Sequence, residues 1–238
     1  IKNNSALLLG GGIYFEGENS DNDLSWCDIN YNTAGTGGGI YVKNSNVRFS
    51  QTNIIYNTAT SSGGGAYIDK DSSLKVESNE YIIASVRGNT ANSKDNNVYL
   101  ETGAKIDFGQ KSDAQTEIYI YVTLAEGYSG VFTSNYSQHY SETPSKYLFS
   151  DVKGVCAQFS EGEALFAPHS FGDWTYANDR EHESACACGE KLCFHTGGSK
   201  PPGVRQAGGA DSGCQEEAGE IRRPGGPAGG MAQGRRGD

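Results

Sequence analysis

Residues 37–59 read GGGIYVKNSNVRFSQTNIIYNTA, and this stretch decides the fold. A triple glycine opens it, alternating apolar residues follow, and Ile54-x-x-Asn57-Thr58-Ala59 closes it. The same punctuation precedes it, from Gly10-Gly11-Gly12-Ile13-Tyr14 to Ile29-x-x-Asn32-Thr33-Ala34. It recurs afterwards, from Gly63-Gly64-Gly65-Ala66-Tyr67 to Val86-x-x-Asn89-Thr90-Ala91. The triplets start at 10, 37 and 63, spacings of 27 and 26; the closing asparagines fall at 32, 57 and 89, spacings of 25 and 32. A period in this range marks a stacked repeat.

Within a repeat the period is that of strands. Ile40 and Val42 alternate with Tyr41 and Lys43, and Val47 and Phe49 with Arg48 and Ser50, so one set faces inward and the other faces water. No apolar stripe at helical spacing is long enough for a helix. About 26 residues cannot bury a core alone but suit one coil stacked on its neighbours. Each coil is expected to hold three short parallel strands, with Ile29, Ile54 and Val86 inward. Asn32, Asn57 and Asn89 are expected to stack at one corner and hydrogen-bond up the column, as side-chain amides do in stacked strands.

The GGGIY…IxxNTA pattern resembles the right-handed parallel β-helix repeats of large bacterial surface proteins. Similar punctuation occurs in adhesin-like proteins of gut Firmicutes and in the polymorphic outer-membrane proteins of chlamydiae. The resemblance covers residues 1–100 and implies an all-β chain with a right-handed parallel β-helix there. It also implies a structural or adhesive, non-catalytic module of a secreted or cell-surface bacterial protein. Partners would be surface glycans or proteins of host or bacterium, met by a monomer. The chain begins mid-repeat at Ile1 and its one Met is Met231, so a C-terminal fragment with coils upstream is expected.

Composition agrees with this class. The 238 residues carry a net charge of −10, with no basic stripe before residue 200, which argues against nucleic acid. With 36% hydrophobic residues, 14 Tyr and 33 Gly, the chain suits a thin β-stack better than an α/β enzyme. No apolar run reaches the 18 residues a membrane helix needs.

After Asn97-Val98-Tyr99-Leu100 neither the glycine triplet nor IxxNTA returns. The coils are therefore expected to end near residue 100, with 101–168 as a small antiparallel β-module that caps them. Residues 118–124 read as an alternating strand; the Asp151 to Ala167 segment resembles the hairpin that follows the repeats in the same gut bacterial proteins, and the order NVYL, FTS, PSKYLFSD, GEAL resembles theirs. Residues 169–196, from His169-Ser-Phe-Gly-Asp-Trp174 to His195, resemble small Cys/His-rich modules at the ends of such proteins. Residues 197–238 hold no aromatic residue and four of the six prolines. Such a segment reads as disordered, or as the frameshifted translation of a GC-rich gene.

Three groups carry chemistry. Parallel β-helices host polysaccharide lyases and hydrolases, whose sites need clustered carboxylates. Asp21, Asp23 and Asp28 are the nearest approach, in a stretch that reads equally as a solvated loop; no catalytic residue is assigned. Tyr14, Tyr41 and Tyr67 follow the three triplets, and as an outer aromatic ladder they would either hold sugar rings or stack as plain structural pairs. His182, Cys186, Cys188 and His195 offer four zinc-type donors within fourteen residues, with Cys193 or His169 as substitutes. Cys-x-Cys is shorter than a usual zinc knuckle, and oxidised thiols are the alternative. A structural zinc is the one cofactor suggested.

Overall fold

The computed structural model describes residues 1–77, 82–110, 116–173, 175–178, 181–188 and 190–195, with the backbone alone at 18–21, 82–83, 116, 176–178, 181–182 and 192–195. The segment 197–238 and its expected disorder lie outside the described residues. The chain divides into two units, Ile1–His169 and Ser170–Asp238.

The first unit is mostly β and is built on a large parallel sheet. Its strands pair repeat on repeat, in register. In the first column Ile13 lies beside Ile40, Ile40 beside Ala66, Ala66 beside Val98 and Val98 beside Val122. In the second, Leu24, Phe49, Val76 and Phe108 follow one another. In the third, Ile29, Ile54, Val86, Ile120 and Leu148 do the same. All five residues of that third column are 0–1% exposed, and each contributes roughly 1.5–3 kcal/mol on burial. A fourth, shorter column holds Thr33–Ala34, Thr58–Ala59 and Thr90–Ala91, turned back by the antiparallel pair Lys94–Asp95.

The glycine triplets fit the corner before the first column. Gly37 has a φ of +67°, a region that L side chains rarely adopt. Gly38 and Gly39 are excluded from bearing a side chain for another reason. A Cβ on Gly38 would lie 2.4 Å from the Thr58 carbonyl oxygen and 2.5 Å from that of Gly64. One on Gly39 would lie 2.5 Å from the Gly65 oxygen and 2.9 Å from Ile54 Cγ2. The triplet is where one repeat's backbone rests on the next.

Parallel pairing does not stop at residue 100, which corrects the expected boundary. Lys105–Phe108 pairs with Ser73–Val76, and Thr133–Ser134 pairs with Lys105–Phe108. Thr116–Leu124 pairs with Ile82–Arg87 over its first half and with Val98–Leu100 over its last residues. This strand runs straight through the place where earlier repeats turn the Asn-Thr-Ala corner. No corner is made there, so no corner motif is needed. The antiparallel part is narrower than expected: it is the hairpin Val155–Ser160 with Glu163–Pro168. The hairpin closes the stack, since Ala164 donates to Thr133 Oγ1 and accepts from the Phe132 amide. Phe132 stacks on Phe166, and Phe108 meets Tyr136 and Tyr140 edge-on. A four-residue helix, Tyr136–His139, supplies Tyr136, and Tyr140 follows it as the extended C-cap.

In the second unit Thr175–Asn178, Glu181–Ala185 and Lys191–His195 form an antiparallel three-stranded sheet. Phe171 bridges to Cys186 beside it.

Gly39→Ala should destabilise the first unit by about 2–4 kcal/mol, because the neighbours a Cβ would meet are backbone and a buried Ile side chain that cannot withdraw. Gly127→Ala, at φ +77° with nothing within 4 Å, should cost only about 1 kcal/mol. Chemical denaturation of both variants checks the contrast; equal losses would show that close approach is not the reason for the triplet.

Candidate functional site

The corner asparagines form a directed ladder. Asn32 donates its backbone N–H and Nδ2 to Asn57 Oδ1 at 2.9 and 3.0 Å. Asn57 donates the same two groups to Asn89 Oδ1 at 2.8 and 3.0 Å. The ladder has members the motif did not reveal. Asn4 stands above Asn32 and donates to it in the same way; Asn4-Ser5-Ala6 is a variant of the closing motif. Asn89 donates to Asn97 Oδ1, and Asn97 donates its N–H and Nδ2 to the two carboxylate oxygens of Asp151 at 2.8 and 2.6 Å. Thr123 Oγ1 donates to Asp151 as well. A backbone N–H can only donate, so the atom it approaches on each next residue is the oxygen, and the polarity of the whole column is fixed. Asn32, Asn57 and Asn89 are fully buried. The residue before each of them is left-handed: Tyr31, Tyr56 and Gly88 at φ of 56°, 57° and 66°.

Burial raises the Asp151 carboxyl above its ordinary 3.8, and the hydrogen bonds from Asn97 and Thr123 oppose that only in part. The ladder therefore ends on an acceptor-only group that burial disfavours and three donors favour.

Tyr14, Tyr41 and Tyr67 project outward from the first column and stack, joined by Tyr99. Ring centroids lie 5.5, 4.9 and 5.2 Å apart, with planes within 15°. Each interior ring covers the faces of its neighbours, so the ladder shows its edges and hydroxyls. Tyr67 donates its hydroxyl to Glu101, and Tyr14 donates to Glu16 at 2.9 Å. Burial, then the bond to Glu101, pushes the Tyr67 phenol far above its ordinary value. A second outer stack joins Tyr31 to Tyr56 at 5.4 Å, with Lys2 Nζ over Tyr31 and Gly88 under Tyr56.

In the acidic stretch, the described carboxylates of Asp23 and Asp28 are each engaged by a partner on the neighbouring repeat. Asp23 is ion-paired with Arg48, and its carboxyl is held low by Ser25 first and by Arg48. Asp28 accepts from Asn53 Nδ2 at 3.0 Å. Asp21 lies beside Asn46 in the strand pairing, and its side chain is outside the described residues.

Of the metal candidates, the His182, His195 and Cys193 side chains lie outside the described residues. Their strands pair, with His182 beside Phe194 and Glu181 beside His195. Cys186 and Cys188 hold their sulfurs within 4.8 Å of one another in the second unit. In the first unit Cys156 and His169 likewise bring donor atoms within 4.8 Å, because the hairpin puts residues 156 and 167 side by side. These are donor types that can hold a metal ion.

Asn57→Ala should cost about 3 kcal/mol or more, since it strands two buried donors of Asn32 and the Asn89 oxygen. Asp151→Leu should be comparably harmful. Asp151→Asn should be tolerated, because an amide oxygen accepts the same pair of donors at every earlier rung. The sign with pH follows from the raised carboxyl. Its contribution is present below pH 3.8 and lost as pH rises through the higher folded value, so the wild type should lose stability relative to Asp151→Asn between about pH 4 and pH 7. Urea midpoints at the two pH values check this; parallel curves would refute it.

Compared with family models, with curated proteins and with solved structures, the chain matches none.

Proposed function

We propose that the first unit is a right-handed parallel β-helix and that it serves as a structural or adhesive module of a secreted or cell-surface bacterial protein. The observation that carries this reading is the ladder from Asn4 to Asp151, running unbroken through the stacked repeats. Such a column stiffens the stack of repeats, which is what a stalk needs. The outer side chains support the same reading. Glu16 pairs with Lys43, Asp23 with Arg48, and the tyrosines with each other: groups that hold neighbouring repeats together. Surface glycans or proteins are the proposed partners, met by a monomer.

A second inference concerns the second unit. The closeness of the Cys186 and Cys188 sulfurs favours their sharing a structural zinc, completed by His182 and His195. The full chain purified without a histidine tag should carry about one zinc, lost on Cys186→Ser. Less than a tenth of an equivalent, with an unchanged fold after chelation, would end this reading.

For the first unit, incubation of the purified chain with pectin, alginate and host glycans should release no oligosaccharide. Depolymerisation abolished by Asp23→Ala would establish instead a carbohydrate-active enzyme, and saturable glycan binding lost on Tyr41→Ala would establish a glycan-binding module.

A further inference from the structure

The outward position just before each corner asparagine carries a ring in two repeats and nothing in the third. Tyr31, Tyr56 and Gly88 share it, all left-handed, at φ of 56°, 57° and 66°. Tyr31 and Tyr56 are 51% and 55% exposed and stack at 5.4 Å, with planes 25° apart. Lys2 Nζ sits over Tyr31, 5.3 Å from the ring centre. Among the described residues Tyr31 is the one aromatic partner of Tyr56. The Tyr56 ring also reaches over Gly88, where a Cβ would lie 3.3 Å from its Cε1 and 3.4 Å from its Cδ1. Apart from the chain neighbours of Gly88, no other group lies within 4 Å of that point, and Gly88 is exposed. The third ring of this stack is missing, and its place is open.

The backbone does not require this glycine. Tyrosine holds the same φ one and two repeats earlier. The atoms nearest a Cβ belong to an exposed ring that can give way, unlike the backbone oxygens that crowd Gly38 and Gly39. The glycine leaves one face of Tyr56 uncovered, with space for a ring about one strand spacing away. Arg87, the residue before it, is exposed. The outward cations Lys43, Arg48 and Lys75 each hold a carboxylate. Arg87 holds none among the described residues; its guanidinium lies 5.7 Å from the centre of the Tyr119 ring, a contact weak enough at an exposed site to be exchanged.

A ligand for this place needs a flat face, a negative group on its rim and tolerance of surrounding water. A uronic acid residue has all three. Its pyranose C–H groups suit the negative face of an aromatic ring. Its carboxylate projects from the rim of the ring, where a guanidinium fork can take both oxygens, and its hydroxyls stay wet. An aromatic side chain of a protein partner has the face without the charge. We propose that the gap at Gly88 is a subsite for a uronic acid residue of an acidic glycan, stacked on Tyr56 and held at its carboxylate by Arg87. The net charge of −10 opposes an acidic polymer at a distance, but physiological salt screens that field within about 8 Å, and the pairing with Arg87 is a contact. The proposal rests on the glycan part of the reading above and gives it a place that the interior rings of the Tyr14 to Tyr99 ladder do not offer.

Titration calorimetry of the full chain with trigalacturonate and with the neutral galactotriose tests it. The acid should bind saturably and more tightly than the neutral sugar. Tyr56→Ala should abolish binding. Arg87→Gln should weaken binding of the acid about fivefold, the scale of one exposed ion pair, and leave the neutral sugar unchanged. Gly88→Tyr, which restores the third ring, should abolish binding while its thermal midpoint stays within about 5 °C of the wild type, so that a filled site is told apart from a lost fold. Binding of the acid that survives both Tyr56→Ala and Gly88→Tyr overturns the subsite and leaves the glycan reading standing. Equal affinity for the two sugars overturns the uronic acid assignment. No binding of either sugar overturns the proposal, and binding of the wild type to host glycans then decides the glycan reading separately.

Discussion

Every buried backbone N–H needs an acceptor, and the corner before the Asn-Thr-Ala segment is where this chain has to find one away from the strand ladders. The N–H groups of Asn32, Asn57 and Asn89 are met by the side-chain oxygen of the next member of the column. Each asparagine thus solves the problem of its predecessor. Its own amide group reaches back as well: Asn57 Nδ2 donates to the Ile29 carbonyl and Asn89 Nδ2 to that of Ile54. A single asparagine removed leaves buried donors on one side and a buried acceptor on the other, each costing roughly 1–3 kcal/mol. The corner cannot be closed one repeat at a time, and the left-handed residue before each asparagine and the glycines after it are the geometry that closure demands.

The sequence carried the first half of this plainly, because three successive corners of one kind need three copies of one motif. Pairing of Ile29, Ile54 and Val86 follows directly from the IxxN spacing, as does the alternation that turns Tyr41 out and Val42 in. The second half was illegible for a physical reason. Where Thr116–Leu124 spans two columns in one straight strand, there is no tight approach to require glycine and no orphan amide to require asparagine. A pattern search then reports an end where only the corner has ended. The residues that finish the column were hidden in the same way. Asn97 lies only eight residues after Asn89, off the repeat period, and Asp151 lies 54 residues further on, about two periods away, with neither glycine triplet nor IxxNTA between them to mark the way.

The outer surface follows from stacking at a spacing of one strand. Neighbouring strands lie about 4.8 Å apart, which suits face-to-face aromatic contact, so a tyrosine repeated at one register position stacks on its own kind. That arrangement cements neighbouring repeats and simultaneously removes ring faces from solvent. A sugar that binds by stacking needs a free face, which the interior rings Tyr41 and Tyr67 have given to their neighbours. Charge behaves similarly: Glu16 with Lys43 and Asp23 with Arg48 are pairs across the same strand boundary. Exposed pairs of this kind contribute up to about 1 kcal/mol each, and their significance here is that the carboxylates are spread along the boundary instead of gathered on one face.

A column of amides with one polarity cannot be symmetric. Aligned amide dipoles strengthen one another in a low-dielectric interior, and the two ends of the row acquire opposite character. The donor end needs an acceptor, which a carboxylate supplies without bringing donors of its own. Asp151 meets that need in spite of its burial. Asn97 reaches it with both donors, and Thr123 adds a third. The opposite end, at Asn4, presents an oxygen, and oxygens are satisfied cheaply by water where donors inside a core are not. A stack of this polarity therefore has to be finished at its C-terminal end by a dedicated acceptor. The direction of the hydrogen bonds, set by the backbone N–H groups in the column, decides which end needs a dedicated acceptor.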